Sequence, residues 1–346
     1  MISPQSYTRE WILEIRETSP DKDPILIEKM ILALSLVEQL QQQRGLNFVF
    51  KGGTSLLLLL GKPNRFSIDI DIVMDCKDPM DGFFDSIMKN GVFHRYELDV
   101  RTSNVPKQHY KFFFNSVIQE KESHILLDIL FETHSYPRLQ TIKIETPFLV
   151  VEDDPAQVTC PVVECLLGDK LTAFAPHTTG ILYKKGKELE IIKQLFDIGL
   201  LFDASMSIHL VKSTFLPFAT RELGYRHLSH LSPDDVLLDA FKTACLIGVR
   251  DNRSEEFMEL QSGIKKLAAF IYSGHFTLDS AILCASKAAY LTMLLKTNKA
   301  DFDRFDKGIN LAAVNIFNPE YNKLNKIKKT SPEAFFNFYK ALELYS

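Results

Sequence analysis

The sequence predicts an α+β protein with two domains, a mixed sheet flanked by helices at the N-terminus and a mostly α-helical domain at the C-terminus. Up to about residue 160, short apolar segments typical of strands alternate with helical segments. Beyond that point, nearly every segment carries apolar residues at three- and four-residue spacing. We therefore expect domains at residues 1–160 and 161–346, each large enough to bury its own core.

The elements of the N-terminal domain follow from the same patterns. Helical spacing of apolar residues predicts helices at residues 24–43, 54–60 and 83–90. Segments rich in β-branched and aromatic residues predict strands at residues 47–50, 67–72, 96–101, 110–117 and 125–131. The order of these elements predicts a sheet with helices packed against it.

The C-terminal domain is predicted to be almost wholly helical, with helices at residues 162–174, 188–202, 233–247, 254–272, 278–295 and 332–344 among its segments. Two of these begin with a serine followed by proline, at Ser232 and Ser331. A serine hydroxyl can cap the first turn of a helix, and proline suits the first helical position. Asp235 in the first turn strengthens the first of these predictions.

Composition excludes several classes of protein. A net charge of −4 argues against a protein that coats nucleic acid without specificity. The sequence has no apolar run of about eighteen residues and no basic, apolar leader, so we expect no membrane association and a cytoplasmic location. Five scattered cysteines match neither a zinc spacing nor a disulfide framework, which predicts buried, reduced thiols.

A glycine turn is the first candidate functional feature. It joins the strand predicted at residues 47–50 to the short helix that follows, and it reads Lys51, Gly52, Gly53, Thr54 and Ser55. The backbone N–H groups of the last three residues would lie at a helix N-terminus, which favours an anion. Because glycine lacks a Cβ, a triphosphate could approach the backbone closely.

Two aspartates follow on the next predicted strand. Alternation along residues 67–72 separates a core set, Ile68, Ile70 and Ile72, from an open set, Ser67, Asp69 and Asp71. Paired carboxylates repel each other unless a cation lies between them, and Mg²⁺ is bound by carboxylates together with substrate phosphates. We therefore predict a Mg²⁺ site, with Mn²⁺ as an alternative ion. The other interpretation is a solvated edge strand with its acidic residues in water.

Asp128 is the candidate for a third carboxylate. It is the one acidic residue of an otherwise apolar strand, where an unpaired charge would be costly. A glycine turn that can bind phosphate, followed by paired carboxylates, is the minimal equipment for metal-assisted nucleotidyl transfer. Such transfer calls for a further carboxylate that binds metal or activates the incoming hydroxyl. The alternative is an aspartate at a strand end that is bonded to nearby backbone.

The glycine turn and the aspartate motif together resemble the AbiEii/AbiGii toxin family, a branch of the DNA polymerase β-like nucleotidyltransferase superfamily. The matching residues are Lys51, Gly52, Gly53, Thr54, Ser55, Arg65, Phe66, Ser67, Ile68, Asp69, Ile70 and Asp71. The resemblance implies a small nucleotidyltransferase domain followed by a helical domain, and the toxin of a bacterial toxin–antitoxin or phage-abortive system with a cognate antitoxin. Some members are implicated in adding nucleotides to the 3′ end of tRNA.

Lysines in two C-terminal helices are further candidates. Lys170 lies in an apolar helix, and Lys193 lies four residues before Asp197. A lysine on a buried face needs an anion, which could be a triphosphate. Equally, Lys170 could pair with Asp197 as a buried strut, and Lys193 could form a surface pair with Asp197. These positions resemble the family's lysine and its later Asp-Leu motif, although Gln194 replaces the usual acid and Ile198 the common leucine.

Two basic segments could contact an RNA backbone. The first is the polar loop at residues 176–187, with Lys184, Lys185 and Lys187, and the second contains Lys323, Lys326, Lys328 and Lys329. The first loop could also close over a nucleotide. For both segments the alternative is an ordinary solvated surface. His177, beside a turn, is expected to have no catalytic role.

The resulting functional hypothesis is an enzyme that transfers NMP from an NTP to an acceptor hydroxyl, with RNA and the tRNA 3′ end as the expected acceptor. The predicted catalytic residues are Asp69, Asp71, Asp128, Lys170 and Asp197, and the first three would bind the metal. The predicted nucleotide-binding residues are Lys51, Gly52, Gly53, Thr54, Ser55, Arg65, Ser67 and Lys193. No P-loop and no Gly-x-Ser-x-Gly elbow occurs. The alternatives are transfer to a small molecule or protein side chain, and a non-catalytic protein that binds nucleotide or antitoxin.

Overall fold

The computed structural model describes residues 1–18, 22–75, 79–100, 104–152, 154–299 and 302–345. Contacts divide the chain into two compact units. Unit 1 comprises Met1–Val162 and Phe270–Gly274, and unit 2 comprises Val163–Ala269 and His275–Ser346. A short segment from late in the chain therefore belongs to unit 1.

Unit 1 is built on a five-stranded mixed sheet. Its strands are β1 (Val49–Lys51), β2 (Ile70–Met74), β3 (Arg95–Leu98), β4 (Lys107–Ser116) and β5 (Lys121–Phe131). Their order is β1-β2-β5-β4-β3, with β2 and β5 parallel and the other neighbours antiparallel. A separate antiparallel pair consists of β6 (Leu139–Lys143) and β7 (Gln157–Pro161). The expected mixed sheet is thus confirmed.

Helix α2 covers one face of unit 1's core. The helices of this unit are α1 (Arg9–Glu17), α2 (Pro24–Gln41), α3 (Gly52–Leu59) and α4 (Asp81–Met88). Alternate residues of β2, β4 and β5 point into the same core as α2, including Ile70, Phe112 and Ile129. The residues between them therefore face the opposite side of the sheet. That opposite side carries the charged residues described below.

Strand β2 starts three residues later than the sequence predicted. Ser67, Ile68 and Asp69 lie outside the strand, which begins at Ile70. The backbone here bonds to other segments of the chain. Phe66 N–H donates to the Phe270 carbonyl, and Thr54 Oγ1 donates to the Asp69 carbonyl. Contacts with residues distant in sequence therefore set the start of the strand, and alternation alone could not indicate it.

Unit 2 consists of helices. They are α5 (Val163–Ala173), α6 (Glu188–Ala204), α7 (Ile208–Tyr225), α8 (Pro233–Val249), α9 (Glu255–Leu267), α10 (Leu278–Lys296) and α11 (Pro332–Tyr345). Helix α10 packs against α6, α8 and α11. Within the described residues, α10 is the one helix long and apolar enough to cross a membrane. Of its apolar eighteen-residue stretch, 72% is buried inside the protein. Such burial is typical of the central helix of a bundle.

Two helices of unit 2 differ from the prediction. The predicted helices did not include α7, which has Pro217 inside it, a residue that usually interrupts a helix. Helix α9 ends at Leu267, whereas the prediction extended to residue 272. The last residues of that predicted helix belong instead to unit 1. By contrast, the predicted cap of α8 is confirmed, since Ser232 and Asp235 form a capping box.

The described cysteines are free thiols, as the spacing predicted. Cys160, Cys165 and Cys245 are buried, while Cys76 lies outside the described residues. Burial raises the pKa of the Cys160 and Cys284 thiols to about 12, so both are neutral at physiological pH. Neutral, buried thiols behave as small apolar side chains.

Candidate active site

The glycine turn brings the backbone against Asp71, the aspartate of β2. Gly52 has φ +79°, a left-handed conformation that residues with a Cβ rarely adopt. A Cβ at Gly52 would lie 2.2 Å from Asp71 Oδ2. Both observations require glycine here, because any larger residue would displace the Asp71 carboxylate. The turn therefore fixes one oxygen of Asp71.

Gly53 is packed as tightly against two other predicted site residues. A Cβ at Gly53 would lie 2.5 Å from Arg65 Nη2 and 2.7 Å from Ser67 Oγ. Arg65 is 7% exposed, and its Nη1 donates to the Phe66 carbonyl at 3.0 Å. A buried guanidinium and a hydroxyl thus lie beside the start of α3. This arrangement brings Arg65 and Ser67, two residues of the motif, to the glycine turn.

The hydroxyls of Thr54 and Ser55 are used inside the turn. Thr54 Oγ1 donates to the Asp69 carbonyl at 2.5 Å and lies 3.0 Å from Ser67 Oγ, while Ser55 Oγ donates to the Gly52 carbonyl at 2.9 Å. Both residues are fully buried. The N-cap residue Lys51 makes no side-chain hydrogen bond to the first turn of α3. The groups that this turn presents to an anion are therefore backbone N–H groups.

Replacing Gly52 by alanine should destabilise unit 1 more than the same change at Gly61. Both glycines have positive φ, but a Cβ at Gly61 would meet no atom within 4 Å. The backbone strain of about 1–2 kcal/mol is common to both variants. The added contact with Asp71 should cost Gly52→Ala a further 1–3 kcal/mol or so. Urea unfolding of the two variants measures the difference, and equal losses would show that the carboxylate does not press on the turn.

A row of charged residues crosses the open face of the sheet. Strand pairing places Lys51 opposite Asp71, Asp71 opposite Asp128, and Asp128 opposite His109. Neighbouring strands lie about 4.8 Å apart, so the two aspartates of the parallel pair are immediate neighbours. His109 Nδ1 lies 2.6 Å from Asp128 Oδ1. The row therefore brings Asp71 and Asp128 together, as predicted, and adds a histidine.

Lys107 lies between the two carboxylates. Its Nζ is 3.3 Å from Asp128 Oδ2 and 3.9 Å from Asp71 Oδ1. The three side chains are 30%, 21% and 32% exposed, so this group is reached by solvent but partly screened from it. One oxygen of each aspartate thus converges on a single positive charge. Asp69 is exposed and lies immediately before β2, two residues before Asp71 in the sequence.

The donor set fits a divalent cation on chemical grounds. Among the described residues, no group of three or more His, Cys, Asp or Glu side chains is arranged to hold a metal ion. Mg²⁺ sites, however, usually combine one or two carboxylates with substrate phosphates and waters. Asp71 and Asp128 supply two such carboxylates, and the ammonium of Lys107 marks a position where their oxygens favour positive charge.

Sequence reasoning missed Lys107 and His109. The strand was predicted to begin at Tyr110, whereas β4 begins at Lys107. The signal was present, because Lys107, His109 and Lys111 alternate with residues of the core face, among them Tyr110 and Phe112. Residues 107–109 were not recognised as the first part of the strand that continues from Tyr110.

In unit 2, Lys170 and Asp197 form a buried ion pair. Lys170 Nζ lies 2.7 Å from Asp197 Oδ2, and the two side chains are 8% and 0% exposed. Lys170 also donates to Gln194 Oε1 at 3.2 Å, so the residue that departs from the family motif takes part in the same cluster. Lys193 Nζ lies 2.8 Å from Glu190. The buried ion pair that was one of the alternatives for Lys170 is therefore present. Binding of a nucleotide by Lys170, Asp197 or Lys193 stays a prediction.

The basic loop at residues 176–187 is bound to α9. The backbone N–H of Lys184 lies 3.0 Å from both carboxylate oxygens of Glu259, and its Nζ lies 3.0 Å from Glu255. Lys185 and Lys187 are exposed. In the second basic segment, Lys323, Lys326 and Lys329 are exposed around a short 3₁₀ helix, Asn322–Ile327. Contact of either segment with RNA stays a prediction.

Comparison with known proteins gives one family match. The family described as nucleotidyl transferase AbiEii toxin, Type IV TA system, matches residues 36–268. No curated protein matches the chain. Two Helicobacter pylori crystal structures are similar to it. JHP933 is 16% identical with a TM-score of 0.46, covering 86% of this chain and 96% of its own. A candidate nucleotidyltransferase is 18% identical with a TM-score of 0.46, covering 80% of this chain and 97% of its own.

Proposed function

The chain belongs to the AbiEii family of nucleotidyltransferase toxins of type IV toxin–antitoxin systems, and we propose that it transfers NMP from an NTP to a hydroxyl of RNA in the cytoplasm. The tRNA 3′ end is the proposed acceptor, and a cognate antitoxin is the proposed partner. One observation carries the proposal. Asp71 and Asp128 converge on one positive charge beside a glycine turn that leaves backbone N–H groups for an anion.

The residues that would hold Mg²⁺ are Asp69, Asp71 and Asp128, with Mn²⁺ as an alternative ion. When bound there, the metal would neutralise phosphate charge and favour displacement at the α-phosphorus. The residues of the chain hold the carboxylate oxygens in place. Gly52 fixes one oxygen of Asp71, and His109 holds one oxygen of Asp128, so their remaining oxygens face the same point.

The glycine turn would bind the phosphates of the donor nucleotide. The backbone N–H groups of Gly53, Thr54 and Ser55 start α3, where the positive end of the helix dipole favours an anion. Arg65 and Ser67, which face Gly53, would add a charge-assisted donor and a hydroxyl. Lys51, the N-cap residue, would add a second cation at the start of the turn.

Asp128 would also bind or deprotonate the attacking hydroxyl. A carboxylate whose Oδ1 is held by His109 presents Oδ2 in a fixed direction. Catalysis would rest on positioning and on neutralisation of charge, which together can contribute several orders of magnitude in rate.

The experiment that tests this function identifies donor and acceptor together. The protein is incubated with each α-³²P-labelled NTP, Mg²⁺, and either total bacterial RNA or lysate protein. We expect label from one or more NTPs in RNA, at a 3′ end that a 3′ exonuclease releases. Label in protein or in a small molecule would favour the alternative acceptors. Absence of label with all four nucleotides would favour a protein that binds nucleotide without turnover.

A further inference from the structure

Lys107 is a charged residue that the family motif does not include, and it contacts both carboxylates of the proposed site. We propose that Lys107 is a resident counter-cation of Asp71 and Asp128, which a divalent cation must displace and which then binds the phosphates of the incoming nucleotide. This inference rests on the proposed function. It assigns Lys107 a positioning role that couples metal loading to nucleotide loading.

The first step of the argument is the direction of the carboxylate oxygens. Asp71 Oδ2 is packed against Gly52 Cα, and Asp128 Oδ1 is held by His109 at 2.6 Å. The other oxygens, Asp71 Oδ1 and Asp128 Oδ2, are the two that approach Lys107 Nζ. The same two oxygens are therefore the ones available to a metal ion. An ammonium and a divalent cation cannot occupy them together.

The second step concerns charge. Two carboxylates on adjacent strands repel each other, and a cation between them removes that repulsion. Lys107 supplies this cation from the chain itself. Its side chain is 30% exposed and has a flexible four-carbon stem, so it can leave the pair without unfolding the strand. The ammonium of Lys107 thus stabilises the metal-free site. A free divalent cation binds more weakly as a result, because it must displace that ammonium.

The third step links the two ligands. A divalent cation that arrives alone leaves the displaced Lys107 without an anionic partner. A cation that arrives with a triphosphate brings that partner, because an ammonium is a good phosphate ligand. Loss of Lys107 should therefore strengthen binding of the free metal, which no longer has to displace an ammonium, and weaken binding of the metal–triphosphate complex, which loses a phosphate ligand.

The test uses the full chain, Mn²⁺ as the metal and inorganic tripolyphosphate as the triphosphate. Mn²⁺ binding is measured by electron paramagnetic resonance, and binding of the preformed Mn²⁺–tripolyphosphate complex by calorimetry. In Lys107→Met we expect free Mn²⁺ to bind about fivefold more tightly, as loss of a partly exposed ion pair implies. We expect the complex to bind about fivefold more weakly for the same reason.

Two controls make the result specific. Lys111→Met removes a lysine from the same strand and face, one that lies 3.7 Å from Asp99, and should leave both affinities unchanged. Lys107→Arg keeps the charge and should behave as wild type. If Lys107→Met does not fold, as judged by circular dichroism, Lys107→Gln replaces it. Unchanged or weaker binding of free Mn²⁺ in the uncharged variant would overturn the inference, as would tighter binding of the complex.

Failure of this inference can be told apart from failure of the proposed function. The affinities are measured without any transfer reaction. If Lys107→Met leaves both affinities unchanged while the wild type transfers NMP, the coupling role is wrong and the enzyme assignment stands. If the affinities change as expected while the wild type labels no acceptor, the cation site exists but the proposed reaction is wrong.

Discussion

Replacing Asp71 by asparagine is expected to reduce nucleotidyl transfer about a thousandfold while leaving the fold intact. Asparagine has nearly the same shape, so it fits beside Gly52, but it removes the charge that draws a cation toward Asp128. Loss of a preorganised charged group at a reacting centre typically costs this much in rate. Steady-state transfer of α-labelled NMP measures the rate, and circular dichroism melting measures the fold.

Asp75 provides the matched control. It lies four residues further along the chain from Asp71, immediately after β2, and its carboxylate accepts a hydrogen bond from Thr133 at 2.7 Å. Asp75→Asn removes one carboxylate near the same strand without touching the converging pair, so transfer should stay within a few-fold of wild type. Transfer at the wild-type rate in Asp71→Asn would show that the carboxylate pair is not the catalytic centre.

Replacing Lys170 by methionine should cost about 3–5 kcal/mol in the free energy of unfolding. The reason is that Asp197 is fully buried, and its charge would lose the ammonium at 2.7 Å. Methionine fills the space of the lysine stem, so loss of packing is a small part of the change. Urea denaturation of wild type and variant measures the effect.

The double variant Lys170→Met/Asp197→Leu separates two roles for the pair. An apolar pair of similar size can replace a buried ion pair without loss, so much of the stability should return. Transfer should stay impaired if Lys170 also neutralises phosphate charge, as the family motif implies. Recovery of full transfer together with stability would show that the pair is a strut alone. Lys193→Met, which removes a partly buried lysine whose partner Glu190 is exposed to solvent, serves as the comparison and should cost less than the loss of Lys170.

The fold class and much of the site could be predicted because the signals are local. Isoleucines at alternate positions fix the face on which Asp71 lies, and the apolar context of Asp128 fixes its strand, confirmed here as β5. Parallel pairing of those two strands then places the carboxylates together. The glycine turn is equally local, because its positive φ and its close contacts require residues without a Cβ.

The rest depends on contacts between residues far apart in sequence. The strand predicted from Tyr110 did not extend back to Lys107, so the pairing of Lys107 and His109 with β5, at the far end of the β4–β5 hairpin, was not predicted. Likewise, Phe270–Gly274 joins unit 1 because residues 64–66 bond to its backbone, which no periodicity in the α9 region signals. The pair of Lys170 with Asp197 was one of two alternatives, because burial of Asp197 follows from helix packing and not from its neighbours.

The most direct test of the central claim is a comparison of the fate of two phosphates. Wild-type protein is given Mg²⁺, the acceptor, and the donor NTP labelled either at the α- or at the γ-phosphate. Nucleotidyl transfer retains the α-phosphate in the product, and the β- and γ-phosphates leave together as pyrophosphate. We expect α-label in the acceptor, no γ-label there, and α-labelling about a thousandfold slower in the Asp71→Asn variant. Transfer of the γ-label to the acceptor, or equal α-labelling by Asp71→Asn, would contradict the account.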